Sequence, residues 1–170
     1  AQDVQNFPPG LKIIAGDPKA TSPQTDGFLQ WFCFDGPGFD IGRYNVGPVM
    51  PTSCDVGDLL GFELEFPQCW DGVDLDSSQH GAMGPDPHMT YAVGWPDRGC
   101  PTSHPVPLPQ ISELVRWRIP AGGMANWRLA SDIDLSEPAG QTLHADWMNG
   151  WDVPTFQSVI DHCYQVAEQY

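Results

Sequence analysis

Positive charge is what this chain has least of. Its 170 residues include 7 lysines and arginines against 22 aspartates and glutamates, for a formal net charge of −15. Such a surface repels phosphate, so nucleic-acid binding is not expected and anionic membranes are disfavoured. Cations, neutral sugars and basic peptides remain as partners. No apolar run is long enough to cross a membrane, so no membrane insertion is expected. Internal repeats and low-complexity tracts are missing as well. Cys33, Cys54, Cys69, Cys100 and Cys163 contain no Cys-x-x-Cys pair, which argues against a structural zinc site. A Gly-x-Ser-x-Gly elbow is also lacking, which argues against a triad hydrolase.

What is present describes a folded, loop-rich chain. Hydrophobic residues make up 41% of it, and its seven tryptophans need large buried areas. Glycine and proline, 18 of each, punctuate it heavily. Their share stays below the roughly 25–30% at which disorder is expected. The length suits one domain over residues 1–170. Dispersed cysteines and few lysines point to a secreted, extracellular protein. Two intramolecular disulfides are expected, Cys33–Cys54 and Cys69–Cys100, with Cys163 left over, although spacing alone does not dictate connectivity. The first residues, Ala1-Gln2-Asp3, suggest a processed or excised chain.

Periodicity predicts strands at Leu11–Ala15, Gln30–Phe34, Leu59–Phe66, around Met89–Val93, at Ile111–Ile119 and at Trp127–Ser131. In the third, Leu60, Phe62, Leu64 and Phe66 share one face. In the fifth, Ile111, Glu113, Val115, Trp117 and Ile119 do so. Asp35–Pro51 reads as a glycine-rich loop, and 67–109 as a long irregular stretch of the kind that usually carries function. Asp152 reads as the N-cap of a helix running to about Gln169, with Pro154 in its first turn. Its apolar stripe is Phe156, Val159, Ile160, Cys163, Val166 and Ala167. The fold class expected is mainly β, sandwich-like and loop-rich, with one C-terminal α-helix; α+β is the alternative.

The irregular stretch and the segment before the helix hold four of the five histidines. They read Cys69-Trp70-Asp71-Gly72-Val73-Asp74-Leu75-Asp76-Ser77, His80, His88-Met89, Cys100-Pro101-Thr102-Ser103-His104-Pro105-Val106-Pro107, His144-Ala145-Asp146-Trp147 and Gly150-Trp151-Asp152. Together with Leu11-Lys12-Ile13-Ile14-Ala15-Gly16-Asp17-Pro18, these segments resemble the DUF1996 family of secreted fungal and bacterial proteins of unknown function. The resemblance implies secretion and a shared site, without an established reaction. It also implies that this chain corresponds to the family's C-terminal half, without a preceding portion bearing a His-x-His motif. That leaves a short variant, a cleaved protein or a separate partner chain as possibilities. Gly81–Pro87 separates His80 from His88 more widely than the family pattern does.

His88, His104 and His144 are candidate ligands for a divalent metal such as zinc or copper, or for non-haem iron, aided by Asp146 or by Asp71, Asp74 or Asp76. The alternative is that each histidine satisfies a loop carbonyl. His144 and Asp146 share a face if their segment is extended, so a carboxylate could support an imidazole base. Asp71, Asp74, His144 and Asp146 are the candidate catalytic groups, and paired carboxylates among them would suit glycoside hydrolysis. Asp74, Asp76 and Ser78 alternate as in a calcium loop. Gln79 and Pro85 stand where glycine and glutamate belong, which excludes an EF-hand but not a looser calcium site. Trp70, Trp147 and Trp151, with Trp95 and Asp76, are candidates for holding sugar rings; covering the core is their alternative role. The function expected is action on, or binding of, extracellular polysaccharide. A metal- or calcium-stabilised structural module, or one half of a two-part protein, is the other reading.

Overall fold

The computed structural model describes residues 3–35, 42–76, 87–94 and 99–164. Among these residues it is mainly β, with three small sheets and one short α-helix toward the C-terminus. No helix among the described residues is long and apolar enough to cross a membrane. Strands β1 (Lys12–Gly16) and β9 (His144–Met148) form a two-stranded sheet. The chain divides into two compact units, each assembled from separated segments.

One unit comprises Ala15–Glu65 and Ser112–Ala145. Its centre is an antiparallel sheet of β2 (Leu29–Phe34), β3 (Arg43–Gly47), β4 (Leu59–Glu65) and β8 (Ser112–Arg118), in the order β3-β2-β4-β8. The alternation legible in the sequence becomes two faces here. Register sets Trp31 opposite Phe62, Phe62 opposite Val115, and Leu60 opposite both Cys33 and Trp117. Trp31, Leu60, Phe62 and Leu64 are buried, each worth about 1.5–3 kcal/mol of burial. On the other face Phe32 lies across Gly61, where any Cβ would stand 2.6 Å from the phenyl ring. Arg43 and Arg116 stack over Phe32 and Phe34 at 4.2 and 4.1 Å. The Cys33–Cys54 disulfide forms in this unit as expected.

Two expectations fail in this unit. Asp35–Pro51 is not wholly loop, because Arg43–Gly47 pairs with β2 through a register irregularity between Trp31 and Cys33. Its anchors are side chains: Arg43 pairs with Glu63 at 2.6 Å, and the Tyr44 hydroxyl bonds Asp58 at 2.7 Å. Trp127–Ser131, predicted as a strand, is irregular backbone leading into a turn. The Trp127 and Asp132 amides bond Met124 O and Leu129 O, and the Asp132 carboxylate takes the Leu129 amide. Side-chain capping there replaces ladder pairing.

The other unit comprises Ala1–Ile14, Phe66–Ile111 and Asp146–Tyr170. Much of the predicted irregular stretch is organised by three two-residue strands, β5 (Cys69–Trp70), β6 (Met89–Thr90) and β7 (Val106–Pro107), in the order β6-β5-β7. The Cys69–Cys100 disulfide staples this sheet to the following turn. Asp152 caps α1 (Val153–Val159) as predicted: its carboxylate accepts the Thr155 amide and hydroxyl at 3.0 and 2.6 Å. These bonds hold its pKa below the usual carboxylate value. The α-helix ends earlier than predicted, passing into a π-helical turn at Ile160–Tyr164. Phe156 is half-buried and Ile160 buried, but Val159 and Cys163 are exposed, so the stripe covers little. Cys163 is free. Val166, Ala167, His80, Trp95 and the segment 77–86 lie outside the described residues.

Candidate functional site

In the first-described half of the motif, sequence and local chemistry build a tight corner. The Asp71 carboxylate accepts the Val73 and Asp74 amides at 2.8 and 3.0 Å, the short-range turn that aspartate favours. Gly72, at φ +86°, lets that turn close. Trp70 Nε1–H donates to Asp74 O at 2.6 Å, so the indole braces the same loop. Lys12 joins this loop to the histidines. Its amide donates to Leu75 O at 2.7 Å, and its ammonium pairs with Asp76 at 3.1 Å. Its carbonyl accepts from His88 Nε2 at 2.7 Å.

The two histidines of this corner clamp one segment. His104 Nε2 donates to Pro87 O at 2.6 Å, and its Nδ1 meets the Ser103 hydroxyl at 3.0 Å. The His88 carbonyl receives the Asp71 amide at 3.0 Å. Both rings are buried. Because a carbonyl only accepts, each Nε2 carries hydrogen, and Nδ1 is the lone-pair nitrogen of the neutral ring. At His104 that lone pair faces Ser103. At His88 Nδ1 is buried without a hydrogen-bond partner among the described residues. Thus Trp70, Asp71, Asp74, Asp76, His88 and His104 come together.

Trp147 and Trp151 gather elsewhere in the same unit, around Phe7. Phe7 lies 4.7 Å from Trp147, 5.7 Å from Trp151 and 5.4 Å from Phe156, centroid to centroid. Trp151 packs on Phe156 at 4.5 Å and edge-on to Trp147 at 5.4 Å. Asn149 orders the approach, its side-chain amide donating to the Phe7 and Pro8 carbonyls and its backbone amide to Leu11 O. Trp151 remains 46% exposed and Asp146 is exposed. His144 belongs to the other unit, where its Nδ1–H donates to Thr142 O at 3.0 Å. Among the described residues no three His, Cys, Asp or Glu side chains converge to hold a metal ion.

A family model described as Domain of unknown function (DUF1996) matches residues 1–151. The chain belongs to the DUF1996 family. No curated protein and no solved structure matches it. The expected restriction to the family's C-terminal half is not borne out, because the match begins at residue 1 and runs through both units. The motif segments of this DUF1996 chain are neighbours in space: Cys69-Trp70 pairs on one side with Met89-Thr90 and on the other with Val106-Pro107.

Sequence reasoning missed a second feature of this DUF1996 fold, in the unit built on the four-stranded sheet. A cleft of about 470 Å³ is lined by Trp31, Met50, Leu60, Trp117 and the run Asn126–Leu129. Trp31 is fixed by a hydrogen bond from Nε1 to Gly140 O at 3.1 Å, and its plane lies 23° from that of Trp117. The loop bearing Trp127 is held from beneath by Asp132. That buried carboxylate accepts the Gly140 amide at 2.8 Å, the Thr142 hydroxyl at 2.7 Å and the Leu129 amide at 2.9 Å. Burial works to raise the Asp132 pKa, but these bonds outweigh it and the group titrates below its ordinary value. Part of the signal was in the sequence: the period-2 pattern of β8 grouped Trp117 with Val115 on one face.

Proposed function

We propose that this protein binds extracellular polysaccharide, and that Trp147 and Trp151 form a face for sugar rings. The observation that carries this reading is Trp151, nearly half exposed yet braced by Phe7, Trp147 and Phe156. An indole held rigid before the ligand arrives loses little entropy on binding, and its apolar face suits the C–H face of a pyranose. Two disulfides fit an extracellular setting. Binding is favoured over turnover because Asp71 is engaged with amides of its own turn, and His88 and His104 with the carbonyls of Lys12 and Pro87. In this reading the aspartate and histidine corner holds the scaffold near Leu11 and Lys12, whose backbone ties it to Asn149. Co-sedimentation with insoluble glucan, xylan, mannan and chitin tests the proposal. Retention on at least one, reduced about tenfold by Trp151→Ala, is expected. Equal retention of wild type and variant, or none at all, would sink this assignment of the face.

A further inference from the structure

We propose that the cleft beside Trp117 and Trp127 is a separate binding site for a short, neutral, hydroxyl-rich saccharide segment. This deepens the polysaccharide reading and rests on it for the ligand class alone. Four observations carry it. The cleft, about 470 Å³, falls within the roughly 300–1,000 Å³ of small-molecule sites. Its wall is aromatic and pre-set: Trp31 is locked to Gly140, and Trp117 stacks beside it while remaining 40% exposed.

Its polar groups also discriminate among ligands. Asn126 is exposed and its amide both donates and accepts, as sugar hydroxyls do. Arg128 directs Nη1 to Glu137 O and Nη2 to Leu135 O, so its fork is engaged with its own loop rather than open to a carboxylate. No aspartate or glutamate is among the described residues lining the cleft, although the chain carries 22 of them. A cationic ligand would find no counter-charge here, and a polyanion would be repelled by the net charge of −15. A neutral chain with apolar faces and hydroxyl edges satisfies both surfaces. A proline-rich peptide would use the indoles and accept from the Asn126 amide, but its prolines offer no N–H to the Asn126 oxygen.

Affinity electrophoresis of the whole chain through gels containing soluble β-glucan, xylan or galactomannan tests the proposal. It would be followed by titration with an oligosaccharide of the retarding glycan and, separately, with a proline-rich peptide. Wild type should be retarded by at least one glycan. Trp127→Ala should weaken oligosaccharide binding about tenfold, as loss of one aromatic contact implies, and Trp127→Phe should restore most of it. Trp117→Ala should act similarly, though it also removes packing on Trp31 and Phe62. Trp127 sits on a loop, so its variants keep the test clear of misfolding. Trp151→Ala should lower binding through its own face, and adding Trp127→Ala to that variant should weaken oligosaccharide binding further. Loss in Trp151→Ala with both cleft variants unaffected would overturn this site and leave the Trp147–Trp151 face standing. The reverse pattern would support the cleft and overturn that face. Peptide binding without glycan retardation, or no retardation at all, would overturn the proposal.

Discussion

Truncating Asp132 should unhinge the loop that carries Trp127. The carboxylate is buried and receives three hydrogen bonds, two from the Leu129 and Gly140 amides and one from the Thr142 hydroxyl. Asp132→Ala leaves those donors without an acceptor. Gly140 and Thr142 are themselves buried, and a stranded buried donor costs about 1–3 kcal/mol. Leu129 is half-buried and recovers part of its loss through water. The expected cost is therefore about 3–5 kcal/mol, a large share of the roughly 5–15 kcal/mol that holds a typical domain. Asp132→Asn keeps the volume and one acceptor oxygen, and loses mainly the charge assistance, about 1–2 kcal/mol. Urea unfolding followed by tryptophan fluorescence measures both. The Trp31 indole reports directly because its partner Gly140 is one of the residues released. A cost below about 1 kcal/mol for the alanine variant, or equal costs for the two, would refute the reasoning, since it rests on unsatisfied buried donors.

The same carboxylate sets an acid dependence. Its pKa is lowered by folding, so its stabilisation is fully present above the ordinary value of 3.8 and is lost as pH falls through the lower folded value; unfolding free energy measured from pH 5 to pH 2 should drop in wild type and drop less steeply in Asp132→Asn. Gly140→Ala should cost about 2–4 kcal/mol, because Gly140 sits at φ +80° with a Cβ position 2.9 Å from the Trp31 indole and from Met50; a thermal midpoint unchanged from wild type would contradict this. Replacing Cys69 and Cys100 by serine opens a loop of sequence separation 31, worth about 3.7 kcal/mol in chain entropy, against about 3.3 kcal/mol for the 21-residue separation of Cys33 and Cys54; denaturant titration of each pair checks the values. His88→Ala strips Lys12 O of its partner and opens a buried space, so a loss of about 2–4 kcal/mol is expected by calorimetry, and a variant as stable as wild type would show that the ring is not a clamp.

Much of this protein was determined by its sequence alone, wherever a local rule suffices. Alternation placed Leu60, Phe62 and Leu64 on one face of β4, and Val115 with Trp117 on one face of β8, because successive side chains of a strand point to opposite sides. Asp152 announced the start of α1, since capping involves only neighbours in the chain. The clustered motifs between Cys69 and Trp151 announced the family. What only tertiary structure decided depends on partners distant in sequence. Trp127–Ser131 has a strand's composition, yet a carboxylate and a set of turns claim its amides. Lys12 looked like an ordinary strand residue until its amide, carbonyl and ammonium met Leu75, His88 and Asp76. The His88 and His104 rings bond the carbonyls of Lys12 and Pro87, partners that no local spacing announces, because a buried carbonyl must find a donor and its supplier is chosen by the fold. The Trp117 cleft follows the same logic. Pattern put the indole on its face, but register and the Asp132-held loop set Trp31 and Trp127 beside it.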